Sequence, residues 1–378
     1  MNIRLCRPDD IPTWDRYVAG HRNSTHCHMA AWKTVIENAY GHKGFYLLAE
    51  TEDRITGVLP LIHIQRPFGG DILCSMPFLN YGGPLADSPE VSRTLLRKAL
   101  CLADRLGART VEIRQTVSLG ELFPDCARPP ELMKDKVRML LPLQYPSERF
   151  LASFKSKLRS QIRRPIKEGM QVRVGGAELL DAFYRVFARN MRDLGSPVHS
   201  MGLFYEILAL FGAADKTNPA QSDNGKKGNP RGSQYSRPLA RIGAVFHGND
   251  PVAAGLVIGF RSTMEIPWAS SLNEYNRFSP NMLLYWTLIE QAIESGFQWF
   301  DFGRSTPQEG TYRFKEQWGA KPHPLYWYRF GLNTGSVSLG LSLGDFSKIR
   351  SWVAIAWSRL PLRIANRIGP RIRRAIPL

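Results

Sequence analysis

Cysteine is scarce in this chain and acids are short. The 378 residues include five cysteines, Cys6, Cys27, Cys74, Cys101 and Cys126, with no CxxC pair and none beyond residue 126. An odd, scattered set excludes a disulfide framework and reads as the usage of a reducing compartment. No window approaches the run of about 18 apolar residues that a spanning helix needs. The opening MNIRLCRPDD is charged where a secretory leader would be apolar. The expected location is cytoplasmic, at most peripheral to the inner face of a membrane. His26-Cys27-His28 has no second Cys/His cluster at a zinc spacing, so no metal site is expected. Against 33 Asp and Glu stand 50 Lys and Arg, a net charge of +17. That imbalance points to a polyanionic partner: RNA, a phosphorylated substrate or an anionic membrane. Apolar residues are plentiful at 43%, enough for a large core in about two domains.

Two stretches repeat one order of elements. In the first, Phe45 to Ala49, Ile55 to Ile64 and Ile72 to Phe78 read as strands, the first two joined at Glu52-Asp53-Arg54. The turn Asn80 to Pro84 leads to a helix from about Pro89 to Leu106, with Val91, Leu95, Ala99, Leu102 and Leu106 on one face. Ser88 is its N-cap and Gly107 its stop, and the strand Thr110 to Gln115 follows. The second stretch runs Arg241 to Phe246, Val252 to Phe260, Thr263 to Ser270, a helix from Asn281 to Ser295 capped by Ser279 and Pro280, then the strand Phe297 to Gly303. A duplicated hairpin, strand, helix, strand unit predicts two α/β lobes in tandem, with a cleft at their junction. Arg114 and Arg304 would hold related places in the two copies.

The end of the second copy carries the candidate chemistry. Alternation sets Phe300 and Phe302 against Trp299 and Asp301, and the strand is expected to end as Gly303 frees the backbone and Ser305-Thr306-Pro307 turns away. Asp301 and Arg304 then stand at the carboxyl end of a strand, where α/β sheets keep their sites. After Gly310, Tyr312, Lys315, Glu316 and Trp318 fall at helical spacing and bring a second cation near the first. The structural alternative is an Asp301–Arg304 salt bridge closing the strand.

Three further segments stand out. Ser153 to Arg173 places Phe150, Phe154, Leu158 and Ile162 at intervals of four against Lys155, Lys157, Arg159, Arg163, Arg164 and Lys167. This is an amphipathic basic helix that Pro165 should end or kink, suited to phosphate or RNA, or simply solvated. Lys216 to Pro238 has almost no apolar residue and reads as a disordered insertion, bounded at 214–239. From Lys348 the chain carries eight cations and no acid, with Trp352, Ile355, Trp357, Leu360, Ile364 and Ile368 interspersed. That tail suits an anionic membrane or RNA, or else packs as a terminal helix.

Glu265 to Ser271 (EIPWASS), Ser279 to Trp286 (SPNMLLYW), Asp301 to Ser305 (DFGRS) and Tyr312 to Gly319 (YRFKEQWG) together resemble the FemAB-like branch of the GNAT acyltransferase superfamily, in particular the FemAB-related proteins that accompany exosortase and PEP-CTERM exopolysaccharide systems. The likeness is dense over 150–330 and looser over 1–145, where Pro77 to Pro84 matches best. It implies a tandem pair of GNAT-like lobes with mixed sheets flanked by helices: an N-terminal lobe 1–145, a C-terminal lobe 146–335 and a basic tail 336–378. It also implies transfer of an acyl group, in the founding members an aminoacyl group from charged tRNA, to an amine of a cell-envelope, peptidoglycan-type or exopolysaccharide precursor. No cofactor is implied beyond the donor substrate, aminoacyl-tRNA or acyl-coenzyme A. The coenzyme-A loop of GNAT enzymes needs free backbone N–H groups, whereas Arg277 to Met282 has Pro280 and a bulky Met282, and Arg66 to Asp71 ends in a carboxylate. That departure, with the basic helix, favours an aminoacyl-tRNA donor or another, altered activated acyl donor.

The catalytic candidates are Asp301 to orient, Arg304 and Lys315 to bind phosphate or oxyanion, and Tyr312 to donate a hydrogen bond. Substrate-binding candidates are Trp268, Ser270, Asn281, Ser305, Arg313, Tyr81 and Arg114; Lys157, Arg159, Arg163 and Arg164 are candidates for RNA phosphates. His199 is either a base or a structural residue. The alternatives are a coenzyme-A-dependent N-acyltransferase acting on an amino sugar and a non-catalytic RNA- or membrane-binding protein on the same scaffold.

Overall fold

Each half of the chain lays one parallel strand pair over a helix, and the rest of the architecture grows around those two units. The computed structural model describes residues 1–67, 69–120, 129–212, 235–332 and 352–377. The first half holds β1 (Asn2–Leu5), α1 (Ile11–Gly20), α2 (Ala31–Tyr40), β2 (Lys43–Gly44), β3 (Leu47–Thr51), β4 (Arg54–Leu59), β5 (Ile62–Ile64), β6 (Ile72–Cys74), β7 (Leu85–Ala86), α3 (Pro89–Arg105) and β8 (Thr110–Gln115). Then come β9 (Glu131–Met133), β10 (Val137–Pro142), α4 (Ser147–Ser153), α5 (Ser156–Lys167), β11 (Met170–Gly175), α6 (Leu180–Asp193) and α7 (Met201–Phe211). The second unit is β12 (Tyr235–His247), β13 (Asp250–Arg261), β14 (Thr263–Ser271), α8 (Pro280–Glu294), β15 (Trp299–Ser305) and α9 (Gly310–Glu316). After it come β16 (Lys321–Pro324), β17 (Tyr326–Gly331), α10 (352–358) and α11 (Leu362–Arg373).

The strands form sheets ordered β1-β3-β4-β7, β2-β5-β6-β8-β17-β9 and β11-β12-β13-β14-β15-β10-β16. Among the described residues only β6 with β8 and β14 with β15 pair parallel, each joined by its crossover helix, α3 or α8. The fold is thus a mixed α/β pair of related lobes. Ser88 accepts from the Val91 amide at the start of α3. Ser279 precedes Pro280 with φ +61° and makes no such side-chain bond, so it is not the cap its residue type suggests.

Several expected boundaries move, each for a physical reason. Pro60 interrupts the run 55–64, so β4 and β5 enter different sheets. β12 starts at Tyr235 and pairs with β13, so residues 235–239 of the expected insertion are strand; 213–234 lie outside the described residues. β15 continues through Gly303 and Arg304 to Ser305, because β10 pairs along it as far as Ser305. The stripe Phe150, Phe154, Leu158 and Ile162 is buried but shared between α4 and α5, and Pro165 sits in the last turns of α5 without ending it.

Strand exchange couples the lobes. β10 follows the first lobe yet lies between β15 and β16, while β17 follows the second lobe yet lies between β8 and β9. Sheet membership therefore departs from boundaries drawn at 145 and 335. One apolar cluster fills the space under α1, α2, α6 and α7; a second packs beneath α5 and α8, and a third beneath α3.

The tail packs against the body. Ala365 and Gly369 of α11 are buried, and the Cβ position of Gly369 lies 3.2 Å from Val198. Arg192 donates to Leu360 O (3.0 Å), and Pro377 O accepts from Phe78 N and from Arg114 Nη2, both at 2.8 Å. Among the described residues no helix is long and apolar enough to cross a membrane. Gly195 has φ +71°, and a Cβ there would lie 2.4 Å from Ala354 O in α10. Gly195→Ala should therefore cost about 1–2 kcal/mol in backbone conformation and push the tail outward. Limited proteolysis should cut within 352–377 faster than in the wild type, while circular dichroism of the body stays unchanged.

Candidate active site

The exchanged strand β10 brings a cation to the strand that carries Asp301. β10 opposes Leu140 to Asp301 and Arg138 to Arg304, with a bulge between, and Arg138 Nε donates to Asp301 Oδ2 at 2.6 Å. Tyr81 Oη donates to the same oxygen (2.8 Å), and the Gly303 amide donates to Oδ1 (2.8 Å). The guanidinium of Arg138 also stacks over the Tyr81 ring at 4.7 Å. Asp301 is fully buried, and that burial raises its pKa while Arg138 opposes the rise. Three donors on two oxygens hold it as a carboxylate at neutral pH. Gly303 adopts φ +69°, a left-handed conformation that turns its N–H back onto Asp301.

A second buried carboxylate lies close by. Glu265 accepts from His26 Nε2 (2.8 Å) and from Asn80 Nδ2 (3.1 Å). Burial alone would lower the His26 pKa, but the neighbouring Cys27 sulfur and Glu265 carry it up to about 10, so the pair is an ion pair at neutral pH. Cys27 Sγ stands 3.9 Å from both ring nitrogens of His26, and Glu265 occupies the hydrogen-bond position at Nε2. The three groups lie within 4.8 Å of one another as a hydrogen-bonded pair beside a thiol, a donor set that could also hold a metal ion.

Arg304 is the contrasting case. Among the described residues no carboxylate or carbonyl meets its guanidinium, which stacks over Trp327 of β17 at 5.1 Å. Arg114, from the equivalent strand β8, stacks over the same ring at 4.3 Å. Burial first, then the charge of Arg114, lowers the Arg304 pKa to about 10. Lys315 is buried with Nζ donating to Arg304 O (2.8 Å), and desolvation lowers its pKa to about 8. Two cavities meet here. One, of about 1080 Å³, is bordered by Arg304, Ser305, Thr306, Trp327 and the tail residues Trp357 and Ile372. The other, of about 530 Å³, is bordered by Lys315, Ser270, Asn281, Tyr285 and Gln161 of α5. Thr311 lines both.

The structure thus separates the residues that the sequence grouped. Arg304, Ser305, Lys315, Ser270 and Asn281 border the paired cavities. Asp301 and Tyr81 are sealed into the interlobe network, and the Asp301–Arg304 salt bridge is replaced by Asp301–Arg138. Arg114 is wholly buried, bonded to Glu112, Leu79 O and Pro377 O, so no substrate reaches it. Tyr312 packs against the second core, Arg313 is exposed, and Trp268 is buried against His199 and Phe204. Lys157, Arg163 and Arg164 are exposed, whereas Arg159 caps the end of α4 through Ala152 O and Phe154 O. Met282 is buried in the second core, leaving Pro280 as the obstacle to an anion at this helix start. His199 accepts from Arg373 Nε (3.1 Å) and contacts Tyr40 Oη (2.8 Å); burial lowers its pKa well below the ordinary value, which makes it a structural residue. Arg138, Glu265, His26 and Trp327 went unrecognised in the sequence, since only strand exchange and lobe docking make them neighbours.

Residues 233–316, from the start of β12 to α9, match the family model described as an acetyltransferase (GNAT) domain. Among solved structures the chain is similar to FemX, at 16% identity and a TM-score of 0.61, over 88% of this chain and 98% of that one. It is similar to the C-terminal domain of a putative lysylphosphatidylglycerol synthetase from Agrobacterium fabrum (12% identity, TM-score 0.51, 91% and 96% covered). A tandem GNAT protein from the clavulanic acid biosynthesis pathway is comparable (10% identity, TM-score 0.53, 89% and 100% covered). No curated protein matches the chain by sequence. Together these define a tandem GNAT fold and support an acyltransferase.

The Arg138–Asp301 pair makes a test of the interlobe seam. Arg138→Leu strands a buried carboxylate and should cost about 3–5 kcal/mol in chemical denaturation, whereas Arg138→Leu with Asp301→Leu should recover most of that loss. Equal losses in the single and double variants would refute the coupling.

Proposed function

We propose that the protein is a FemAB-like acyltransferase that moves an aminoacyl group from a charged tRNA to an amine of a cell-envelope or exopolysaccharide precursor. The observation that carries this reading is the pair of cavities meeting at Thr311, with the Lys315 ammonium bordering one and the unpaired Arg304 the other. Transfer needs two substrates brought face to face and a cation where negative charge develops. The cavity bordered by Lys315 would hold the donor ester and the larger one the acceptor. The amine nitrogen attacks the ester carbonyl, a C–N bond forms as the C–O bond to the tRNA ribose breaks, and the amine proton passes to the departing oxygen or to solvent. Lys315 stabilises the oxyanion and Arg304 binds an anionic group of the acceptor.

Two features favour tRNA over coenzyme A. Pro280 has no N–H and the Met282 amide is already bonded to Ser279 O (2.9 Å), so the start of α8 offers few free donors to a pyrophosphate. Gln161 of α5 borders the donor cavity, so tRNA phosphates on the exposed Lys157, Arg163 and Arg164 would bring its 3′ end there. Association with exosortase-type systems rests on the motif resemblance alone.

A transfer assay with labelled aminoacyl-tRNA tests the proposal. Arg304→Ala should abolish transfer while the melting temperature stays within about 4–8 °C of wild type. Lys315→Gln should lower kcat about 10²–10³-fold. Since the role of Lys315 needs its ammonium, kcat should fall as pH rises through about 8; a rise there would make it a base instead. Retention of tRNA without turnover would indicate a binding protein, and protection by acyl-coenzyme A in a thermal shift would indicate the other donor.

A further inference from the structure

The last two helices carry a face that nothing among the described residues covers. α11 buries Ala365 and Gly369 toward Val198 and Trp357. On the opposite side Arg363, Arg367, Arg371 and Arg374 recur at intervals of four, four and three, all exposed, and so form one stripe. No acid stands between Lys348 and the end of the chain, so nothing in the segment neutralises them. Apolar side chains of the same two helices face water too: Trp352 is 73% exposed, Ile355 47% and Ile364 47%. Trp352 and Ile355, three residues apart, share a face of α10. Arginines interleaved with an open tryptophan and branched aliphatics are what a helix lying in a bilayer interface needs. The indole sits among headgroups, the aliphatics enter the acyl boundary, and the guanidinium groups meet lipid phosphate.

We propose that α10 and α11 form an in-plane docking face for an anionic phospholipid bilayer. Charge complementarity selects this occupant. An apolar protein groove would take Trp352 and Ile355 but leave four guanidinium groups uncompensated; an RNA backbone would pair with the arginines but leave the aliphatic side chains in water. A bilayer carrying anionic headgroups satisfies both. The two helices also give Val353, Trp357 and Ile372 to the wall of the 1080 Å³ cavity, so docking brings that cavity beside the membrane. This holds whether or not the transfer reading does, because it rests on the tail alone.

The test is flotation of the full-length protein with phosphatidylcholine vesicles, with and without phosphatidylglycerol. Binding should require phosphatidylglycerol and weaken with salt. Combined Arg363→Gln, Arg367→Gln and Arg371→Gln should lower the partition coefficient about hundredfold, at about fivefold per charge. Trp352→Ser with Ile355→Ser should lower it at every salt concentration. All five positions are exposed, so the variants should melt with the wild type, and aminoacyl transfer to a soluble acceptor should persist. Absence of binding to phosphatidylglycerol vesicles, or binding indifferent to these substitutions, would overturn the proposal. So would loss of tRNA retention in the arginine variant without any vesicle binding by the wild type, which would make the stripe an RNA surface.

Discussion

The ion pair between Arg138 and Asp301 is the constraint on which the arrangement of the lobes rests. Asp301 lies in the second lobe, Arg138 arrives on a strand that leaves the first, and Tyr81 reaches the same carboxylate oxygen from a first-lobe turn. Left alone, the buried Asp301 and Tyr81 would each be a desolvated polar group. Only with β10 inserted beside β15 are all of them bonded, so the exchange of strands and the docking of lobes stabilise each other. A buried pair of this kind favours one relative placement over others more than it adds net stability.

The two copies of the unit then diverge at one position. Arg114 on β8 and Arg304 on β15 both stack on Trp327, the ring that β17 carries back to the first sheet. Arg114 is saturated: Glu112 neutralises it, and three backbone carbonyls, one from Pro377 in the tail, take its other donors. Arg304 has the same ring and no bonded anion among the described residues, and burial, then the proximity of Arg114, makes its charge harder to hold. The arginine of the first copy is thus framework, while that of the second borders a cavity. The C-terminal residues belong to that framework, since removing Pro377 O would leave an Arg114 donor buried without an acceptor.

What the sequence made legible follows from what is local. The repeated order of strand and helix, the apolar stripe of α3 and the cap at Ser88 depend on neighbours along the chain, and the tandem lobes could be read from them. That Arg304 and Lys315 lie near each other was also legible from the helical spacing after Gly310, although the strand runs past Gly303 to Ser305. The partner of Asp301 was not. Its nearest cation in sequence is Arg304, but in a strand the side chains three apart point to opposite faces, and the cation that meets it is 163 residues away in sequence. His26 looked like half of a metal motif and became the partner of Glu265, 239 residues on, for the same reason.

The unpaired state of Arg304 bears on the chemistry. A guanidinium drawn out of water without a counterion is costly to keep charged, and burial, then the charge of Arg114, lowers the Arg304 pKa. Lys315 shows the same depression beside it, with only backbone carbonyls for company. Among the described residues these two cations of β15 and α9 have no carboxylate partner, whereas Arg4, Arg114 and Arg138 each have one at hydrogen-bond distance and Arg373 has only the ring of His199. Two cations of this kind bordering adjoining cavities would suit an anion that is not part of the chain. On the proposed transfer reading, the charge of that anion is what the reaction would generate or the substrate would bring.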